Sequence, residues 1–72
     1  MVMANIVRQW KEGDKNLVWY GPFKTEGMAD IYADTIVNGM DPELGPMAFV
    51  DVYEHGGYIV KLTYFDRDEE FE

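Results

Sequence analysis

Apolar and polar positions alternate from the start of the chain, with Ile6, Arg8 and Trp10 falling on one side of an extended backbone and Val7 and Gln9 on the other. A period of two predicts a strand from Asn5 to Lys11. The polar run Glu12-Gly13-Asp14-Lys15-Asn16 then reads as a turn, and Leu17-Val18-Trp19-Tyr20 as the second strand of a hairpin. Proline has no N–H to give to a ladder, so this strand is expected to stop at Gly21-Pro22.

The period then lengthens. Ala29, Tyr32, Ala33, Ile36, Val37 and Met40 recur at helical spacing and form one apolar stripe. The helix is expected from about Glu26 to Asn38, with Thr25 as N-cap, Glu26 at the positive end of the dipole and Gly39 in a left-handed terminal position. Gly27 lowers helix propensity by about 1 kcal/mol relative to alanine, which leaves the first turn either frayed or packed closely on Gly21-Pro22.

Beyond a loop from Asp41 to Pro46, strand-like runs from Met47 to Glu54 and Tyr58 to Phe65 flank His55-Gly56-Gly57. A two-residue loop would set Val52 opposite Lys61 and Asp51 opposite Leu62. A three-residue loop sets Val52 opposite Val60, Val50 opposite Leu62 and Ala48 opposite Tyr64, and brings Asp51 to Lys61 on the other face. The second register is favoured and predicts a bulged hairpin with a glycine at positive φ. The order β-β-α-β-β predicts a small α+β domain over residues 1–65, an antiparallel or mixed sheet with one helix on one face, followed by an acidic tail over 66–72 that is expected to fray. Strand order does not follow from the pattern, and a parallel pairing of the second and third strands would require a right-handed crossover.

One helix cannot cover both faces of that sheet. If it lies on Ala48, Val50, Val52, Val60 and Leu62, the reverse carries Met47, Phe49, Tyr53, Ile59 and Phe65 around the Asp51/Lys61 pair, an unusually apolar surface to leave in water. The first hairpin, Phe71 of the tail, or another chain is expected to cover it.

Composition narrows what such a partner can be. Six Lys and Arg against fourteen Asp and Glu give a formal charge of −8 over 72 residues, which argues against nucleic acid and anionic membranes as ligands. Hydrophobic residues at 47% and aromatics at 15% exclude an acidic disordered chain. There is no Cys for a disulfide or a thiolate metal site. No apolar run approaches the roughly 18 residues of a membrane span, and no leader pattern opens the chain, so a cytoplasmic location is expected.

The chemical inventory points away from catalysis. With no Ser and no Cys, the aliphatic hydroxyls are Thr25, Thr35 and Thr63, and neither a Ser-His-Asp nor a Cys-His arrangement can be built. His55 is the single histidine and falls at a hairpin tip, where it reads as a solvated turn residue. Asp66-Arg67-Asp68-Glu69-Glu70 evokes a calcium loop but lacks the sixth-position glycine and the closing glutamate. The glycines match neither phosphate-binding pattern. No catalytic residue, cofactor or metal is expected.

Two acidic features remain. Glu26, Asp30 and Asp34 recur every four residues along the helix with no cation interleaved, and the tail adds five acids. They read as a solubilising surface or as a lure for a basic protein. The chain is therefore expected to be a non-enzymatic protein-binding module, with Met47, Phe49, Tyr53, Ile59 and Phe65 making contact and Glu26, Asp30 and Asp34 steering a basic partner. An acidic DNA mimic that inhibits a nucleic-acid-binding protein, and a homodimer joined through its sheet faces, are the alternatives.

Trp19-Tyr20-Gly21-Pro22-Phe23, followed by Ala29 and Tyr32-Ala33, resembles the strand, G-P-F turn and helix start of SPOR-like domains, which bind glycan strands of bacterial cell walls. The likeness spans about 15 residues, and the SPOR plan βαββαβ has a second helix that this pattern lacks. The same run is also similar to that of small bacteriophage-encoded proteins, a resemblance that fits the length, acidity and lack of catalytic groups; the expected binding module would then be a phage or mobile-element accessory protein that inhibits or modulates a host protein.

Overall fold

A computed structural model of the chain describes residues 5–66. The elements follow the expected order: β1 (Asn5–Glu12), β2 (Lys15–Phe23), α1 (Glu26–Asn38), a single 3-10 turn (Pro42–Leu44), β3 (Met47–Val52) and β4 (Tyr58–Phe65). The strands form one antiparallel sheet in the order β1-β2-β4-β3, so the fold is α+β. The last strand inserts between the second and third, and no parallel crossover arises.

Gly13 supplies a φ of +66 to the two-residue loop of the first hairpin, which closes on Glu12 opposite Lys15. β2 does not stop at Gly21-Pro22 as expected; it runs on to Phe23. Pairing with β4 shifts between Tyr20 and Phe23, so Pro22 sits in an irregularity where no ladder donor is required. Gly21, at a φ of +144, permits the close approach: a Cβ there would stand 2.9 Å from the Tyr58 carbonyl oxygen and 3.2 Å from Ile59 Cγ2. The continuation delivers Phe23 to the core opposite Tyr58.

The helix matches its predicted bounds, and the Met28 N–H donates to Thr25 Oγ1 at 3.2 Å, as the cap requires. Ala29 and Ala33 are buried on Val60 and Phe23, while Tyr32 packs its ring on Tyr20 and Phe23 with centroids 5.3 and 5.2 Å away. Gly39 is not left-handed: its φ of −88 and ψ of −3 keep it in the right-handed region, and its N–H donates to the Thr35 carbonyl at 3.1 Å. The left-handed glycine comes later, at Gly45, where φ is +59 after the 3-10 turn. Gly27 is not packed on Gly21-Pro22, since a Cβ there would meet nothing within 4 Å.

The second hairpin differs from its expected register. Val52 pairs with Tyr58, Val50 with Val60 and Ala48 with Leu62, two residues away from the favoured pairing, and β3 ends at Val52 instead of Glu54. The connection spans 53–57, closed by the Tyr53 N–H on the Gly57 carbonyl at 2.9 Å, with Gly56 and Gly57 both at positive φ. A slip of two residues leaves every side chain on its own face, so alternation alone does not discriminate between these registers. Asp51 and Lys61 still meet, diagonally, at 2.9 Å.

Asp66 is tied down where fraying was expected. Its N–H donates to the Asp14 carbonyl at 2.9 Å, and its carboxylate accepts from Asn16 Nδ2 at 2.8 Å and from Lys11 Nζ. The rest of the acidic tail, including Phe71, lies outside the described residues.

Two glycines test this packing in opposite directions. Gly57 has a φ of +85 and a Cβ would fall 2.6 Å from the Phe23 carbonyl oxygen, so Gly57→Ala is expected to destabilise the domain by roughly 1–3 kcal/mol. Gly27→Ala, in open helical space, is expected to stabilise it by about 0.5–1 kcal/mol. Denaturant unfolding monitored by tryptophan emission reads both.

Candidate protein-binding surface

Pairing fixes the composition of the face turned away from the helix. Odd-numbered residues of β3 and β4 lie on it, Trp19 lies opposite Lys61, and Arg8 and Trp10 lie opposite Trp19 and Leu17. Sheet twist and pleat thus bring four strands' alternate side chains into one outer surface.

Its centre is a stack of indoles and cations. Trp10 and Trp19 meet edge to face with centroids 5.4 Å apart. The Arg8 guanidinium stands 4.2 Å from the Trp10 centroid and 5.4 Å from that of Trp19, and Lys61 Nζ stands 4.5 Å from the Trp19 ring. Each such contact at an exposed site is worth about 0.5–1 kcal/mol, enough to fix these long side chains across the indoles. Lys61 also donates to Asp51 at 2.9 Å, and the other Asp51 oxygen accepts the Val52 N–H at 2.8 Å. Arg8, Trp19, Tyr53, Ile59 and Lys61 help line a shallow depression of about 320 Å3.

The predicted contact residues divide into three groups. Met47, Phe49 and Phe65 lie on the outer face and are 63%, 55% and 43% exposed. Tyr53 is half-buried just beyond β3, its ring edge-on to His55, and Ile59 is only 2% exposed. Ile59 belongs to an interior strand, so it forms the floor of the face instead of its surface. Glu26, Asp30 and Asp34 are exposed on α1, across the sheet from the apolar residues, so the structure does not combine the two sets into one patch.

The flank that carries those acids is nevertheless defined. Tyr32 reaches from α1 back to Tyr20 and Phe23 on β2, and Val37, on the opposite flank, shares a depression with Pro46 at the start of β3. On a helix of 3.6 residues per turn, Glu26, Asp30 and Asp34 fall on the Val37 flank. By that geometry they lie on the side of α1 nearer the edge strand β3.

Arg8, Trp10 and Trp19 were not among the predicted contact residues. Alternation placed Arg8 and Trp10 together, but their membership of this face depends on β2 pairing with β4. The first hairpin widens the sheet sideways and does not fold over Phe49 and Met47. His55 is exposed in the loop, 3.3 Å from a Glu54 carboxylate oxygen. Among the described residues no group of three or more His, Asp or Glu is placed to hold a metal ion, and no helix is long and apolar enough to cross a membrane. No family model, curated protein or solved structure matches the chain.

The hydrogen bond from Lys61, then that from the Val52 N–H, and then the ammonium charge hold the Asp51 carboxyl below the ordinary carboxylate range. A depressed folded-state pKa contributes stability above the unfolded value of about 4, and that contribution disappears as pH falls through the folded value. Asp51→Asn is therefore expected to be less stable than the parent at neutral pH, with the difference closing as pH falls below the ordinary carboxylate range. Denaturant midpoints measured from pH 7 down to pH 2 provide the check.

Proposed function

We propose that the chain is a non-catalytic protein-binding module that docks on its partner through the outer face of the sheet. The observation that carries this reading is the exposure of Met47, Phe49 and Phe65 together on that face, with no described segment over them. Apolar groups beside ordered indoles and a polar rim resemble the anchor-and-rim composition of protein interfaces. The face is also locally balanced in charge: Arg8, Lys15 and Lys61 stand against Glu12 and Asp51, although the chain as a whole carries −8. Such a surface tolerates a partner of either sign. The module is an accessory protein of a phage or mobile element that inhibits or modulates a host protein in the cytoplasm, a setting with which the resemblance to small phage proteins is consistent.

The DNA-mimic alternative has less support from the helix. Glu26 to Asp34 spans about 12 Å of helix axis and presents three carboxylates, whereas a duplex carries one charge per roughly 1.7 Å, about seven over that length. The homodimer alternative uses the same outer face and is separated by mass.

Docking on the outer face is expected to shift Trp10 and Trp19 emission and to depend on Phe49 and Met47. Capture of a host protein by the parent, but not by Phe49→Asp or Met47→Asp, supports the reading, provided sedimentation shows a monomer at micromolar concentration. Retention by both face variants overturns it.

A further inference from the structure

The two edges of the sheet are treated differently. β1 carries a bulge between Ile6 and Arg8 and ends in Lys11 and Glu12, features that blunt an edge against added strands. β3, Met-Ala-Phe-Val-Asp-Val, has no proline, no lysine and an unbroken register. Its hydrogen-bonding direction follows from the closing pair. Tyr53 directs both its N–H and its carbonyl inward, to Gly57 and Gly56, so by alternation Phe49 and Asp51 also bond inward and Ala48, Val50 and Val52 point their backbone groups outward. The Val52 N–H is already taken by the Asp51 carboxylate. Among the described residues nothing bonds the outward groups of Ala48 and Val50, which offer donor and acceptor at the edge.

What lies above that edge selects the occupant. Glu26, Asp30 and Asp34 lie on the flank of α1 nearer that edge, all exposed, and among the described residues none has an ion-pair partner. Antiparallel pairing of β3 with a second copy would place both helices on one side and turn the two acidic ridges toward each other, so self-pairing is opposed. An extended segment of opposite charge meets no such repulsion.

We infer that the β3 edge takes up an extended basic segment of a partner protein as a fifth strand, its alternate Lys or Arg residues turned to the acidic ridge and its intervening apolar residues turned to Met47 and Phe49. The added strand pairs antiparallel to β3, so the residues directly opposite Ala48 and Val50 share their face and exchange both backbone hydrogen bonds with them, and those residues are the cations. The inference rests on the reading of the chain as a protein-binding module and adds the chemistry of the partner.

The probe is a capped heptapeptide alternating lysine with valine, titrated into the 15N-labelled protein at low salt. Amide shifts are expected to concentrate at Ala48 and Val50. N-methylation of the lysine amides should weaken binding roughly tenfold or more, because it removes the ladder donors, while N-methylation of the valine amides should change it less than about threefold. Asp30→Asn/Asp34→Asn should weaken it about fivefold, an effect that shrinks at high salt. Equal sensitivity to both methylation patterns, or shifts confined to the helix, would reduce the effect to unspecific charge attraction and overturn the inference. Absence of peptide binding alongside Phe49-dependent partner capture would sink the edge assignment and leave the binding module standing.

Discussion

Ala29 and Ala33 bring the helix down onto Val60, and the architecture depends on that contact because it decides which side of the sheet is closed. Small side chains on α1 let its backbone approach β4, where Val60 is fully buried and Leu62 nearly so. Each fully buried Val, Leu or Ile contributes about 1.5–3 kcal/mol, and in so short a chain a few such residues carry much of the stability. β4, like β2, has a neighbour on both sides, and the helix packs on β3 and β4 more than on β2, so it sits over the β4–β3 half of the sheet while β1 and β3 remain its edges.

The close approaches that support this contact come from glycines. Gly21 on β2 and Gly57 before β4 each face backbone at a distance that no Cβ could occupy, which lets Phe23 close the end of the core beneath Tyr32. The aromatic cluster of Tyr20, Tyr32 and Phe23 then orients the helix about its axis. Burial pushes the Tyr20 phenol above its ordinary pKa, with Tyr32 and Tyr64 nearby adding to the effect. Once Tyr32 is turned to β2, helix geometry puts the carboxylates on the opposite flank, nearer β3.

Charge is therefore segregated in a chain that is acidic throughout its composition. Cations collect on the outer face, where indoles hold Arg8 and Lys61, while helix acids line the far edge. The apolar outer face and the acidic edge meet along β3. A partner that adds a strand there would touch both, even though the two sets of side chains never share one flat surface.

Element order, the helix with its Thr25 cap, the Tyr58–Phe65 strand and the division of β3 and β4 into two faces were all legible in the chain, because each rests on local periodicity or on a side chain bonding its own backbone. Local signals could not reach further. The passage of β2 through Gly21-Pro22 depends on contacts with Tyr58 and Ile59, and the right-handed Gly39 on how the helix hands over to the 3-10 turn. The hairpin register escaped because a pleat of period two is unchanged by a slip of two. Among the candidate contact residues, the exposure of Met47, Phe49 and Phe65 followed from parity, but the burial of Ile59 and the recruitment of Arg8, Trp10 and Trp19 followed from β4 lying between β2 and β3. Except at Ile6, which the β1 bulge turns to the helix side away from Arg8 and Trp10, amino-acid order alone determined which side chains share a strand face or a helix flank; only the assembled sheet decided which of those faces meet, since pairing between distant strands is set by long-range packing and not by neighbours in the chain.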